Sequence, residues 1–362
     1  MQMLGKVCEG RENGFNFLRL FAAVGILFAH CLLAVPIINE SSEILPRDFR
    51  FAADLLLAVF FVFSGFLITA SRERNQNLVR FATARILRIY PALITVSLGL
   101  ILLIGPLVTT VPLVAYFSDT NTYLYLIRSV LFLDASASLP GVFTTHPVAH
   151  AVNLPIWTLR YEVVIYAVYP IAAILFINRS LSIKGGAKFA ALIGCILVQQ
   201  LLGESDETGG LEHLMNFSAS FLIGSLLWTY RHFIPGSVVV VAFLWALFWL
   251  STGLGITYFL GVLAAGYSFI WIAFLDIASL KTYGKFGDYS YGTYVMHFPI
   301  AQAIYGMNPA INPYVLGLFT LALTLPIAVL SWRVVEMPAL SQVKNCSALI
   351  SSKLSYGSSV RA

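Results

Sequence analysis

The chain has little charge. Asp, Glu, Lys and Arg make up 11% of its 362 residues, against about 25% in a soluble domain. With 59% hydrophobic residues, it could not cover its own surface in water. The mean hydropathy of +0.83 agrees. A length that would suit two soluble domains therefore carries no such meaning here. Cysteine is also sparse. Cys8, Cys31, Cys195 and Cys346 fall in apolar runs or expected inner segments. No outer pair is offered for a disulfide, and the clustering that zinc requires is missing, so no metal is expected. Gly-rich phosphate loops, HExxH and GxSxG are absent. No internal repeat, low-complexity tract or Gly/Ser linker divides the chain. The first apolar run is too long for a cleaved signal peptide and has no small-x-small cleavage site.

What remains is a series of long apolar runs. A membrane helix needs about 20 mostly apolar residues. The runs are read as spans at 15–36, 53–70, 89–111, 156–177, 187–203, 214–230, 236–252, 255–275, 290–307 and 314–334. A further stretch, 121–135, holds Arg128 and Asp134 and reads as an interfacial helix. The expected fold is an all-α integral membrane protein, a bundle of about ten transmembrane helices. Residues 1–340 form one transmembrane domain. The polar, Ser-rich tail 341–362 is expected to be partly disordered.

Orientation follows from the basic residues. With the N-terminus in the cytoplasm, eighteen of the 22 Lys and Arg fall inside, and four, Arg47, Arg50, Arg128 and Arg160, fall outside. Cytoplasmic segments of membrane proteins carry such an excess. The loop Gly203–Leu211, with Glu204, Asp206 and Glu207 but no base, falls outside. An even number of spans puts both termini in the cytoplasm. The net charge of +5 thus reports topology, and nucleic acid is not an expected partner.

Charged or ionisable groups within the apolar runs are costly and are functional candidates by default. Arg19 and His30 are eleven residues apart in the first span. At about 100° per residue they share one helix face, separated by about 16 Å of rise. A buried imidazole stays neutral, and a neutral imidazole is a competent general base. The competing reading is a core histidine bonded to a carbonyl. The inner loop after the second span carries Arg72, Arg74, Arg80, Arg85 and Arg88. Arg85 and Arg88, at i,i+3, point the same way on a helix, and paired guanidinium forks suit phosphate. Anchoring to anionic headgroups explains the same cluster. In the fourth span Trp157 and Tyr161 suit the outer interface. Glu162 lies about a turn below and needs a cavity or a partner; a protonated, structural glutamate is the alternative. His297 lies within the ninth span. Asp288 precedes it as a helix cap. Glu336, before Met337-Pro338, either ends the tenth helix or serves the site. His146 and His150 fall in an outer loop and read as solvated.

Five segments together resemble the acyltransferase family 3 of bacterial membrane acyltransferases, which modify surface sugars. They are Arg19-x10-His30; FFVFSGFLIT at 60–69; Arg85-x-x-Arg88 with Tyr90-Pro91; WTLRYE at 157–162; and SYGTYVMHFPI followed by Glu336-x-Pro338. The resemblance runs from Asn13 to Pro338. The single Glu of WTLRYE departs from the commoner WSLSVEEQFY form and is similar to the exopolysaccharide acetyltransferase branch. The resemblance implies a multi-pass protein of the bacterial inner membrane. It implies transfer of an acyl group, usually acetyl, from cytoplasmic acyl-CoA to a hydroxyl of an extracytoplasmic or lipid-linked sugar. It makes His30 the catalytic histidine and Arg85 and Arg88 residues needed for activity, fitted to the CoA phosphates. Arg19 joins the basic inner cluster that could hold CoA. Glu162 joins His30 in the catalytic set, and Tyr291, His297, Glu336 and Trp157 are further candidates. The implied partners are acyl-CoA, a carbohydrate acceptor and membrane lipids. A transporter or a lipid-linked sugar flippase would share the hydropathy. It should show paired Gly/Pro-broken helices in matching halves, and none is evident. A metal-dependent glycosyl- or phosphotransferase would need clustered acids at one surface; here the outer acids are scattered.

Overall fold

The computed structural model describes residues 3–7, 13–34, 47–134, 137–148, 150–176, 178–202 and 209–359. Among these the regular structure is helical, with no strand beyond a single bridge between Met3 and Pro235. The main helices are α1 (Phe15–Ala34), α2 (Arg47–Arg74), α3 (Leu78–Gly99), α4 (Leu159–Ile174), α5 (Leu181–Leu202), α6 (Gly209–Thr229), α7 (Val238–Leu250), α8 (Thr257–Ala273), α9 (Ser290–Met307), α10 (Pro313–Ser331) and α11 (Val343–Ser359). A helix stands in each expected apolar run. Among the described residues, five helical stretches are long and apolar enough to cross a membrane: Phe15–Leu33, Phe49–Arg74, Leu78–Val108, Leu181–Leu202 and Pro313–Ser352. Large apolar side chains on these surfaces face outward, among them Leu107, Leu201 and Leu330. Apolar surface of this extent marks contact with something other than water.

The helices form two compact units. The first comprises Met1–Ala22, Phe51–Gln76 and Tyr161–Asp288. Its core joins Phe15 and Leu18 to Val62, Phe63 and Phe66 of α2, with Trp228 and Tyr267 around them. Here α2 and α6 meet backbone to backbone. A Cβ on Gly65 would lie 1.9 Å from the Phe221 carbonyl, and one on Gly224 equally close to that of Val62. Only glycine permits that approach. This accounts for the Ser-Gly-Phe in the middle of FFVFSGFLIT.

The second unit comprises Ala23–Arg50, Asn77–Arg160 and Tyr289–Ala362. Leu27 and Cys31 of α1 pack on Ala301, Tyr305 and Leu316. Gly317 leaves room for the Phe28 ring, which a Cβ would meet at 2.4 Å. Pro299 inside α9 cannot donate to the Val295 carbonyl. Asn153 fills that gap, its Nδ2 donating to Val295 O at 2.9 Å. This bond docks the turn Leu154–Thr158, which carries Trp157, onto α9, and Thr158 Oγ1 meets Tyr294 Oη at 2.8 Å.

Three expectations are corrected. The basic stretch after α2 is not a loop. Only Asn75–Asn77 interrupts the helices, because the Asn77 side chain accepts from Arg80 N and starts α3 at once. The helix therefore begins well before residue 89, and Arg80, Arg85 and Arg88 lie on it. Glu336 does not end a helix. A π turn, Trp332–Glu336, carries α10 on into Met337–Ser341, with Pro338 in the first turn of that segment. Asp288 accepts from Arg19, and Tyr289 holds the N-cap position of α9. His146 is half-buried between Phe143 and Tyr305, its Nε2 3.0 Å from Gln302 O. Burial lowers its pKa. Beyond 341, α11 is helical and packs on α3. Cys31, Cys195 and Cys346 are free thiols. Cys8 and the acidic loop residues 203–208 lie outside the described residues.

Candidate active site

The second unit holds His30, Arg85, Arg88, Trp157, Tyr291, His297 and Glu336. It brings His30 and His297 together. His30 Nδ1 lies 2.9 Å from His297 Nε2, and the two rings stack at 5.0 Å and 29°. Phe298 packs edge-on to His30, and Tyr294 lies edge-on to His297. His297 is fully buried and His30 half-buried.

Backbone geometry fixes the protons. His297 Nδ1 faces the Thr293 carbonyl at 3.0 Å, one turn back along α9. A carbonyl can only accept, so Nδ1 of His297 carries the hydrogen. In a neutral ring its Nε2 is then the lone-pair nitrogen and accepts. His30 must donate to it through Nδ1–H. The remaining nitrogen of His30, Nε2, is left with its lone pair. A neutral imidazole held in this tautomer can take a proton or attack an electrophile at Nε2.

A second group forms around Arg88. Its Nη1 lies 3.3 Å from Glu336 Oε2, and its guanidinium lies over the rings of Tyr291 at 5.7 Å and Trp332 at 5.3 Å. Glu336 is fully buried and also accepts from Ser331 Oγ at 3.2 Å. Residues five apart lie about 140° apart round an α-helix. The π turn, with its i→i+5 bonding, brings Ser331 and Glu336 to one side. Tyr291 Oη donates to Ile89 O at 2.8 Å, tying α9 to α3. Arg85, one turn before Arg88, lies over Phe81 at 5.7 Å. Of the two arginines expected to hold phosphate, Arg88 is thus already ion-paired.

The other two candidates belong to the first unit. Arg19 pairs with Asp288 at 3.2 Å. Glu162 accepts a short hydrogen bond from Tyr166 Oη, and Tyr166 also meets Ser64 Oγ at 3.0 Å. Tyr161, expected at the interface, is buried beside Phe217. The sequence reading missed Thr293, Ser331, Trp332 and Asn153. Thr293 was within reach of it, four residues before His297 on a helix. The other three depend on a π turn and a long-range contact.

A family model described as an acyltransferase domain matches residues 12–333. An O-acetyl transferase of Shigella phage Sf6 is 25% identical over 347 residues, covering 90% of this chain and 95% of that protein. Nodulation protein 10 of Rhizobium leguminosarum bv. viciae is 26% identical over 364 residues, covering 92% of this chain and 94% of its own length. No solved structure matches the chain.

Proposed function

The chain belongs to the acyltransferase family whose motifs its sequence resembles, and from that premise we propose that it moves an acetyl group from cytoplasmic acetyl-CoA to a hydroxyl of an extracytoplasmic or lipid-linked sugar. The name of the phage relative supports acetyl as the group and oxygen as its acceptor. The reading extends to ten crossings, both termini in the cytoplasm and residence in the bacterial inner membrane. The observation that carries the chemistry is the His30–His297 hydrogen bond, with the Thr293 carbonyl behind it.

A sugar hydroxyl is a poor nucleophile at neutral pH, and a base within hydrogen-bond reach contributes about 10²–10⁴-fold. His30 Nε2 takes the hydroxyl proton as the oxygen attacks the thioester carbonyl. The C–S bond then breaks, and the departing thiolate recovers the proton from the imidazolium. A second route has Nε2 itself attack the thioester and expel the thiolate, giving an acyl-histidine; the hydroxyl oxygen then takes the acyl group as the C–N bond breaks, and its proton goes to the thiolate. In both, His297 is a positioning residue. It holds the His30 ring and tautomer and touches no substrate. The Arg85 fork is fitted to a CoA phosphate. Arg88 can join it only by sharing its guanidinium with Glu336. Glu162, polarised by Tyr166, is assigned to the acceptor.

The test is purified protein with labelled acetyl-CoA. His30→Ala should abolish transfer to glycan while CoA binding stays near wild type. Wild-type transfer by that variant would make His30 a packed core residue. Without acceptor, label on the protein selects the acyl-histidine route, and unlabelled protein selects the general base.

A further inference from the structure

We propose that a cleft of the first unit, between α2, α4 and α5, is a binding site for a phosphate ester. The cavity measures about 210 Å³. Three cationic side chains line it, Arg72, Lys184 and Lys188, against one carboxylate, Glu73. That carboxylate is already engaged. Glu73 Oε2 accepts from Trp228 Nε1 at 2.8 Å and lies 3.5 Å from Arg231 Nη2. Two further polar contacts at the cleft go to neutral groups. Arg72 Nη1 donates to the Asn75 carbonyl at 3.3 Å, and Lys188 Nζ to Thr229 Oγ1 at 2.7 Å. Thr69, Tyr169 and Ser225 close a ring of hydroxyl contacts at 2.8–2.9 Å among themselves. Three cations and one shared carboxylate line a cleft with a largely apolar wall, and positive charge in such surroundings attracts a counter-anion. A guanidinium fork with two ammonium groups is the donor set that phosphate oxygens accept.

The opposite wall is apolar, built from Ala172, Ala173, Phe176 and Leu222. It suits carbon attached to the phosphate, not a second charge. Pockets that enclose a drug-sized ligand span about 300–1,000 Å³. This cavity therefore takes the phosphate and its nearest atoms, with the rest of the molecule outside. Two sources offer that chemistry: the headgroup of a phospholipid, and a soluble phosphate ester such as a nucleotide. The inference does not depend on acyl transfer by His30.

Thermal unfolding of the full chain in a neutral maltoside detergent tests it. The probes are short-chain phosphatidic acid against the matching diacylglycerol, and adenosine monophosphate against adenosine. At least one phosphate probe should raise the midpoint where its phosphate-free counterpart does not. The probe that does so identifies lipid or soluble ester. Lys184→Gln should weaken the response by at least about tenfold, since a charge-assisted bond is lost. Ala187→Leu, which narrows the cleft and leaves the charges in place, should weaken it too. That second variant keeps the test decisive if Lys184→Gln folds poorly. His30→Ala should respond like wild type, which separates this site from the transfer chemistry. The proposal is overturned if neither phosphate probe stabilises the protein, or if both variants respond as wild type.

Discussion

At the residue scale, one carbonyl sets the chemistry of a histidine that it does not touch. Thr293 O fixes the proton on His297, and His297 thereby fixes the proton on His30. Replacing His297 by Phe keeps an aromatic ring beside His30 but removes the acceptor. Turnover should fall at least about tenfold with the KM for acetyl-CoA unchanged, because the base is no longer held in one tautomer. His297→Gln offers an oxygen in place of the nitrogen and should recover part of the loss. Equal activity of the Phe variant and wild type would reduce the contact to packing. Glu336 gives a stability test. Glu336→Gln leaves the Arg88 charge without its carboxylate, and breaking a buried pair costs about 3–5 kcal/mol. A lowered unfolding midpoint should follow even before activity is assayed. Glu162→Gln, by contrast, should lower turnover more than acetyl-CoA binding. Full activity of that variant would make the Tyr166 bond structural.

At the element scale, the glycine contact between α2 and α6 should resist even one methyl group. Gly65→Ala would set a Cβ against the Phe221 carbonyl, and overpacking of this kind typically costs about 1–3 kcal/mol. A Gly65→Ala protein as stable as wild type would mean that the helices separate freely. Elements of this kind were legible in the sequence in part. Apolar runs located the helices, since each had to hide its backbone within itself. Arg85 and Arg88 could be placed on one face by spacing alone. The same reading could not find what depends on irregular backbone. Ser331 and Glu336 look misaligned until a π turn rotates one toward the other. Asn153 looks like an ordinary loop residue until Pro299, 146 positions later, leaves a carbonyl in need of a donor. Asp288 looked like a cap because a short acid before a helix usually is one; its pairing with Arg19 joins residues 269 positions apart and left no local sign. His146 looked solvated because no local pattern announces a partner so far along the chain.

At the scale of the whole molecule, the distribution of Lys and Arg makes the topology testable. In a protein freed of native cysteines, a cysteine at Gln76 should be silent to an impermeant thiol reagent added from outside, and one at Asn308 should react. Both side chains are exposed. The reverse pattern would also remove the cytoplasmic donor from the mechanism. The second unit has a further consequence, for biosynthesis. It is assembled from three separated segments of chain. Arg88 and Glu336 are 248 residues apart, so at about 5–20 residues per second the arginine leaves the ribosome roughly 12–50 s before its partner. His30 waits still longer for His297. Over that interval α3 carries a cation into the bilayer with its carboxylate not yet made. The nascent chain therefore needs a temporary counter-charge, from lipid headgroups or from the insertion machinery, and a ribosome stalled before α10 should leave α3 the helix most readily lost from the membrane.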